Sequence, residues 1–261
     1  MKWEPYNLVK ADRALGGTLG AHRLDLVKIL HSVPAARRKA FFSPQQCRSM
    51  VARLTQLRAL WSRDYDGEQY SFPDNFYARA NGRGQKAYFS NRAEANARMS
   101  EHFPGERQQL LAYLTNLLPG RHVRVRPGWL GPAFVIFPAG ELLSHEPGPV
   151  HIDLEGLTGL DLKAREASFF SVICMIQPAQ EGGGVRLWNR RFGGTREQED
   201  EFLDAARRAP NEAVEVNYDV GDFLAINSLS PHQILKFGGG RDRITLNAFA
   251  VADATSCDVW F

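Results

Sequence analysis

Two residues whose side chains commonly bind metals lie close together in "GPVHIDLEGL", residues 148–157. Residues i and i+2 of an extended chain project from the same face, so His151 and Asp153 could reach one point. The chain contains 7 His and 29 acidic residues among 261. Because about 0.8 His-x-Asp/Glu triplets are then expected by chance, the motif needs support from the rest of the sequence.

A third metal-binding side chain, His232, lies in "NSLSPHQILKF", where it begins another predicted strand. Two imidazoles and one carboxylate on one face of a metal leave its other positions open. This ligand set is the facial triad of non-haem Fe(II) oxygenases. The same ligands can also hold the zinc of a hydrolase.

A possible anion-binding pair follows in "GGGRDRITLNAF", where Arg243 and Thr245 share one strand face. The arginine fork matches a carboxylate bidentately, and the threonine hydroxyl can add a further hydrogen bond. Arg241 would share that face and is the rival for the same carboxylate, whereas Asp242 would point away. A zinc hydrolase would leave this pair unexplained.

The predicted secondary structure that must position these residues changes from helices to short strands near residue 121. Residues 41–61 predict a helix with Ser43 as its N-cap and Pro44 in its first turn. Residues 106–120 predict a second helix. From residue 121, short β-rich runs alternate with Gly, Pro and Asn turns, which is typical of a sandwich or barrel.

We therefore expect one domain over residues 1–261, with a helical and loop-rich part at 1–120 and a β core at 121–252. The fold class predicted is mainly β with a helical N-terminal part (α+β). One helical insert, "TREQEDEFLDAARRAP", interrupts the strands.

Composition excludes several functional classes. The net charge of +3 is too small to favour a nucleic-acid partner. No apolar run is long enough to span a membrane, and the N-terminus lacks the apolar stretch of a signal peptide. The three cysteines, Cys47, Cys174 and Cys257, form neither a zinc motif nor an even disulfide set, so they predict reduced thiols. We expect a cytoplasmic location, and the sequence leaves the oligomeric state open.

Taken together, these motifs resemble the Fe(II)/2-oxoglutarate-dependent dioxygenase superfamily over roughly residues 120–252. "IQPAQEGGGVRLWNRR" looks like the family's segment after a core strand, where a Gly-rich turn precedes Leu-Trp, and "YDVGDFLAINSLSPHQI" looks like the family's strand and turn before the distal His. The resemblance implies a double-stranded β-helix of the jelly-roll or cupin-like kind, flanked by helices. It implies iron ligation by His151, Asp153 and His232, and binding of 2-oxoglutarate by Arg243 and Thr245.

The resemblance also implies the reaction. With Fe(II), 2-oxoglutarate and O2, family members oxidise an unactivated C–H bond and release succinate and CO2. Halogenating relatives carry Gly or Ala where this chain has Asp153, so the resemblance favours a hydroxylase. The expected substrate is a small molecule, such as an amino acid or a specialised metabolite.

We predict that several residues near the expected barrel contact the substrate. The positively charged arginines among them could bind a substrate carboxylate. The candidates are Arg79, Arg186, Arg190 and Asn227; for the arginines, the alternative is a solvated basic face. Two other functions stay open. One is the same oxygenase chemistry on a protein or peptide side chain, and the other is a non-catalytic β-barrel that binds a metal or ligand.

Overall fold

The computed structural model describes residues 6–8, 24–80, 84–157 and 167–261. Seven α-helices lie within these ranges. They are α1 (Leu26–Ser32), α2 (Pro44–Gln56), α3 (Tyr77–Ala80), α4 (Gly84–His102), α5 (Pro104–Leu117), α6 (Leu142–His145) and α7 (Glu199–Arg207).

The predicted first long helix is confirmed as α2. Its N-terminus is a capping box: the Ser43 hydroxyl accepts from the Gln46 amide at 3.2 Å, and the Gln46 side chain accepts from the Ser43 amide at 2.9 Å. Pro44 occupies the first turn, where its missing N–H costs nothing. The second predicted helix is confirmed as α5, and the helical insert as α7.

Helix α4 lies in a region that the sequence analysis treated as loop-rich. Its buried residues are Tyr88, Ala95 and Met99 among 19 residues that are mostly polar. Apolar periodicity is therefore weak, and the helix is stabilised by packing on its neighbours instead of by a strong amphipathic pattern.

A ten-stranded sheet, here called the major sheet, forms the centre of the molecule. Its path is β1-β2-β11-β7-β14-β6-β4-β3, with β15 beside β14 and β5 beside β15. The strands are β1 (Tyr6–Asn7), β2 (Ala35–Arg38), β3 (Ser62–Asp64), β4 (Gln69–Phe72), β5 (His122–Val125), β6 (Ala133–Phe137), β7 (Ser168–Gln177), β11 (Phe223–Asn227), β14 (Arg243–Ala252) and β15 (Ser256–Trp260).

A smaller antiparallel sheet, the minor sheet, has the order β10-β9-β12. A two-stranded ribbon of β8 and β13 extends beside it. The strands are β8 (Glu181–Gly182), β9 (Val185–Trp188), β10 (Ala213–Val216), β12 (His232–Ile234) and β13 (Phe237–Gly238).

Alternate residues of the major sheet enter two different cores. On β7, Phe170, Val172 and Cys174 belong to the core that contains residues of α1, α2, α4 and α5. Met175 of β7 packs instead with residues of β9, β10 and β11 in the core between the sheets. Helices α1, α2, α4 and α5 thus cover one face of the major sheet, and the minor sheet lies against the other.

The N-terminal region also contributes strands, which the sequence analysis did not predict. β2 pairs with β11, and β4 pairs with β6, so residues 35–38 and 69–72 belong to the major sheet. The three cysteines are buried and form no disulfide. Among the described residues, no helix combines the length and apolar character needed to cross a membrane.

Candidate metal centre and active-site cavity

The segment before His151 runs antiparallel beside β12 and adds an outer edge to the minor sheet. The His151 amide donates to the His232 carbonyl at 3.0 Å, and the His232 amide donates to the His151 carbonyl at 2.9 Å. The two residues are therefore direct partners across the sheet. Their imidazole rings lie with centroids 4.3 Å apart.

Both imidazoles are held in one tautomer by backbone carbonyls. Nδ1 of His151 lies 2.9 Å from the Pro149 oxygen, and Nδ1 of His232 lies 3.0 Å from the Ser230 oxygen. Because a carbonyl only accepts, each Nδ1 carries a proton, and in the neutral ring each Nε2 then has a free lone pair. Metal-binding histidines are oriented by this kind of outer contact.

Asp153 completes the predicted set of three. Its carboxylate lies 3.6 Å from Nε2 of His151 and 3.4 Å from Nε2 of His232. One donor atom from each of the three residues lies within 4.8 Å of the other two. The structure thus brings together all three residues that the sequence singled out, in an arrangement that can hold one metal ion.

The Asp153 carboxylate is oriented by two serine hydroxyls. Ser171 of β7 donates a hydrogen bond to Asp153, and the Ser228 hydroxyl lies 2.8 Å from that of Ser171. Since the Ser171 proton is committed to the carboxylate, Ser228 donates to Ser171. The Asp153 amide also donates to the Ser228 carbonyl at 2.9 Å.

Asp153 and His151 have shifted pKa values that favour the protonation states which bind a metal. Burial would raise the pKa of Asp153, but the His232 and His151 imidazoles and the Ser171 hydroxyl together lower it to about 2. Burial and the neighbouring His232 lower the pKa of His151. For His232, burial lowers the pKa, but the Asp153 carboxylate, the Ser230 carbonyl and Glu155 together outweigh it, so a metal ion would have to displace a proton from this ring.

Arg243 lies at the start of β14 and is 2% exposed. Its Nε donates to the Gly183 carbonyl at 2.9 Å. Gly183 has φ +74°, and a Cβ there would lie 3.3 Å from the arginine Cδ, so the turn passes close to this side chain. Among the described residues no carboxylate pairs with Arg243, which leaves a buried cation open to an anionic ligand.

Thr245, the predicted partner of Arg243, is completely buried, and its Oγ1 has no hydrogen-bond partner within the described chain. The rival Arg241 is exposed and donates to the Ala179 carbonyl at 3.1 Å, outside the cavity described next. The Asp242 carboxylate accepts from the Ala139 amide at 2.9 Å. Position 243 is therefore the arginine that faces the cavity.

A cavity of about 460 Å³ joins the three metal-binding side chains to Arg243. Aromatic rings form much of its wall, and Glu68, Glu155 and Asn247 add polar groups. The aromatic residues are Tyr65, Tyr77, Phe137, Tyr218, Phe249 and Phe261.

The predicted substrate-binding arginines of the minor sheet lie outside this cavity. Arg186 pairs with Glu215 at 2.6 Å, directly across the β9–β10 register, and Arg190 pairs with Glu212 at 2.6 Å. Their charges are satisfied by these partners, so this geometry gives no support for a substrate role. The alternative of a solvated face fits better.

The other two predicted substrate contacts have different outcomes. Asn227 is buried, donates to the Leu30 carbonyl at 3.0 Å and accepts from the Leu229 amide at 3.0 Å. Its side chain therefore fixes the backbone of two neighbouring segments by hydrogen bonds, and it does not line the cavity. Arg79 falls within α3, and its side chain lies outside the described part of the chain.

Two cavity residues were not singled out from the sequence. Tyr218 places its ring 5.6 Å from the Arg243 guanidinium carbon, and its buried hydroxyl has no hydrogen-bond partner among the described residues. Burial raises the pKa of Glu155 to about 7, with a further upward contribution from Asp153. Glu155 continues the alternation of His151 and Asp153, which is the signal that could have identified it.

Solved structures with a similar fold were found by structural comparison. HygX from Streptomyces hygroscopicus, with nickel and 2-oxoglutarate bound, aligns with a TM-score of 0.51 and 13% identity, covering 87% of this chain and 85% of that chain. An N-substituted L-amino acid dioxygenase from Burkholderia ambifaria AMMD aligns with a TM-score of 0.51 and 14% identity, covering 81% and 91%. No protein-family model and no curated protein matches the sequence.

At such low identity the comparisons define the fold alone. The chain has the fold of these two proteins, and the predicted double-stranded β-helix core flanked by helices is confirmed. The resemblance to Fe(II)/2-oxoglutarate-dependent dioxygenases inferred from the motifs is borne out at the level of this fold.

Proposed function

We propose that this protein is a non-haem Fe(II)/2-oxoglutarate-dependent oxygenase that hydroxylates, or otherwise oxidises, an unactivated C–H bond of a small molecule. An amino acid or a specialised metabolite is the expected kind of substrate. One observation carries the proposal: the His151, Asp153 and His232 donors and the unpaired cation of Arg243 line the same cavity.

The metal-binding residues fit Fe(II) by the chemistry of their donors. Two neutral imidazole Nε2 atoms and an ionised carboxylate form the set that leaves positions open for other ligands. Bound Fe(II), with 2-oxoglutarate and O2 as cosubstrates, would supply the oxidation and release succinate and CO2. Within the chain, the Pro149 and Ser230 carbonyls orient the imidazoles, and Ser171 orients the carboxylate.

Arg243 fits the far carboxylate of 2-oxoglutarate. A guanidinium that is buried without an acidic partner gains most from a bidentate carboxylate. The unpartnered hydroxyl of Tyr218 lies on the cavity wall and could donate to the same anion. Thr245 shares the strand face of Arg243 and has an unpartnered hydroxyl, but it is not among the residues that line the cavity. The surrounding Phe137 and Tyr218 rings exclude water from this end.

A small substrate is favoured by the dimensions of the cavity. About 460 Å³ falls within the range of roughly 300–1,000 Å³ typical of small-molecule sites. Tyr65, Glu68, Gln69 and Tyr77 line the same cavity as His151, Asp153 and His232, so the segment between β3 and α3 contributes to its enclosure. A protein or peptide side chain would require a more open groove.

The test is an anaerobic titration of the protein with Fe(II) and 2-oxoglutarate, followed by the visible charge-transfer band of the chelate. Wild type should develop the band, whereas Asp153→Ala and Arg243→Ala should lose or weaken it. Glu201→Gln, an exposed change on α7, is the control and should behave like wild type. Succinate release should then be measured against a panel of small molecules and peptides.

Each other outcome favours a different function. Iron binding without a band or 2-oxoglutarate turnover would overturn the proposal in favour of a metal- or ligand-binding β-barrel. Tight zinc binding with hydrolytic activity would indicate a hydrolase. Succinate release stimulated only by peptides would retain the reaction and replace the small-molecule substrate.

A further inference from the structure

The charges on the cavity wall are unbalanced once the role of Arg243 is assigned. The described lining residues contain three carboxylates, Asp153, Glu155 and Glu68, and Arg243 is the only lysine or arginine among them. Asp153 belongs to the metal-binding set. If Arg243 holds 2-oxoglutarate, two carboxylates are left for the substrate and no described lysine or arginine faces them.

One oxygen of the Glu155 carboxylate has no partner, although the carboxylate also accepts hydrogen bonds from the backbone amides of Glu155 and Leu154. This oxygen, Oε2, is completely buried and accepts no hydrogen bond, and no ion pair involves Glu155 in the described chain. Leaving such an acceptor unpaired is costly, so its place on the cavity wall points to a ligand that donates to it. Glu68 has an exposed side chain on the same wall and adds negative charge.

Aromatic rings line the cavity together with these carboxylates. Tyr65 and Tyr77 stack with ring centroids 6.3 Å apart, and Tyr77 meets Phe249 and Phe261 edge-on at 6.4 and 5.6 Å. Tyr65 is 49% exposed, which is unusual for so large a ring. Its φ of +47° is an uncommon conformation for tyrosine, and the ring lines the cavity from this turn.

The Gly156 turn fixes the position of Glu155 next to the metal-binding residues. Gly156 has φ +78°, and a Cβ there would lie 2.4 Å from Nε1 of Trp260. The Trp260 indole also donates to the Glu155 carbonyl at 3.3 Å, and Arg126 donates to the Gly156 carbonyl at 2.6 Å. The contacts with Trp260 thus fix the backbone after Asp153 against β15, and the Glu155 side chain lines the cavity.

We propose that the substrate carries a cationic nitrogen, and that Glu155 binds this nitrogen beside the Tyr65 and Tyr77 rings. A carboxylate combined with aromatic rings is the chemistry that recognises ammonium groups. The inference rests on the proposed function, which assigns Arg243 to 2-oxoglutarate. It replaces the carboxylate-bearing substrate that the minor-sheet arginines had suggested.

The test compares a cation with its neutral isostere. Choline and 3,3-dimethyl-1-butanol have the same shape and differ in charge, and butylamine and butan-1-ol form a second pair. Dissociation constants are measured by NMR titration of the metal-free protein, with and without 2-oxoglutarate. Wild type should bind at least one cation of these pairs about tenfold or more tighter than its alcohol.

Two variants locate the preference. Glu155→Gln keeps the shape and removes the charge, and Tyr65→Leu removes an exposed ring; each should reduce the preference to less than about threefold. Glu201→Gln makes the same charge change on exposed α7 and should keep it. No preference in wild type, or a preference unchanged in Glu155→Gln, would overturn the inference.

The iron titration separates failure of this inference from failure of the proposed function. A normal Fe(II)/2-oxoglutarate band without any cation preference would leave the oxygenase and reject the amine. A cation preference that depends on Glu155, but with no band, would leave an amine-binding cavity and reject the oxygenase. Retention of the band in Glu155→Gln would show that the variant is folded.

Discussion

His151 and His232 face each other as a directly paired couple on adjacent extended segments, each donating its amide to the other's carbonyl. The pairing aligns their side chains on one face and sets the ring centroids 4.3 Å apart. Since both Nδ1 atoms are bound to carbonyls, both Nε2 atoms are directed to the Asp153 carboxylate. The distance between the two imidazoles is therefore set by the backbone pairing of the two extended segments.

Asp153 should control the pKa of His232 in the metal-free protein. Burial lowers this pKa, and the Asp153 carboxylate contributes most of the opposing upward shift. In Asp153→Ala burial is opposed only by the smaller contributions of the Ser230 carbonyl and Glu155, so the pKa of His232 should fall. NMR titration of the imidazole signals measures the change. Asp200→Ala, exposed on α7, is the control, and an unchanged His232 would contradict this electrostatic coupling.

Ser171 should influence metal affinity without binding metal. Ser171→Ala removes the donor that orients the Asp153 carboxylate and leaves the Ser228 hydroxyl without its acceptor. We expect Ni(II) to bind about 10–100-fold more weakly by calorimetry. Ser168→Ala is a matched control, because this buried serine of the same strand contacts His31 at 2.9 Å instead. Equal affinities in the two variants would rule out the orienting role.

Arg243 should contribute to cosubstrate binding more than to stability. Arg243→Met replaces a buried cation that has no acidic partner with an apolar side chain of similar length, so the ligand-free protein should unfold at the same temperature or higher. Wild type should gain about 2.7 kcal/mol at a 2-oxoglutarate concentration of about 100 times Kd, and the variant should gain none.

Arg241→Met is the control for that experiment, because Arg241 is exposed and lies outside the cavity. It should keep the full stabilisation by 2-oxoglutarate in thermal unfolding. If 2-oxoglutarate stabilised Arg243→Met but not Arg241→Met, then Arg241, and not Arg243, would be the residue that binds the cosubstrate.

Asn75 should stabilise the wall that carries the aromatic rings. It is fully buried, donates to the Asp64 carboxylate at 2.6 Å and accepts from the Ala78 amide at 2.7 Å. Asn75→Ala leaves both partners short of a hydrogen bond, at a cost of about 1–3 kcal/mol in urea unfolding. Asn91→Ala, on the exposed side of α4, should change stability by less than about 0.5 kcal/mol.

Two pairs within the candidate site could be predicted because their spacing follows local geometry, whereas the approach of His232 to His151 depends on a long-range strand pairing. His151 and Asp153 are two residues apart, as are Arg243 and Thr245, and strand alternation alone places each pair on one face. Ser43 and Pro44 likewise marked the start of α2 through capping preferences. In each case the information lies within a few residues, and no knowledge of the tertiary structure is needed.

The substrate side of the cavity depends on strand register and on distant segments, so sequence reasoning failed there. Arg186 is neutralised by Glu215, which lies directly opposite it on β10. That partner cannot be recognised before the pairing of β9 with β10 is known. Tyr65 reaches the cavity from a turn between two short strands, a position that shows no hydrophobic periodicity.

The bridge between His151 and His232 also has a kinetic consequence. The chain between these residues includes β7, β9, β10 and β11, which pair with strands of both sheets. His151 and His232 meet only after this long loop has closed, so we expect their contact to form late in folding. Because interactions absent from the folding transition state act on the reverse step, a bound ion should slow unfolding and leave refolding nearly unchanged. Stopped-flow measurements with and without Ni(II) would show this asymmetry. A bound ion would then lengthen the lifetime of the folded protein in addition to any chemical role.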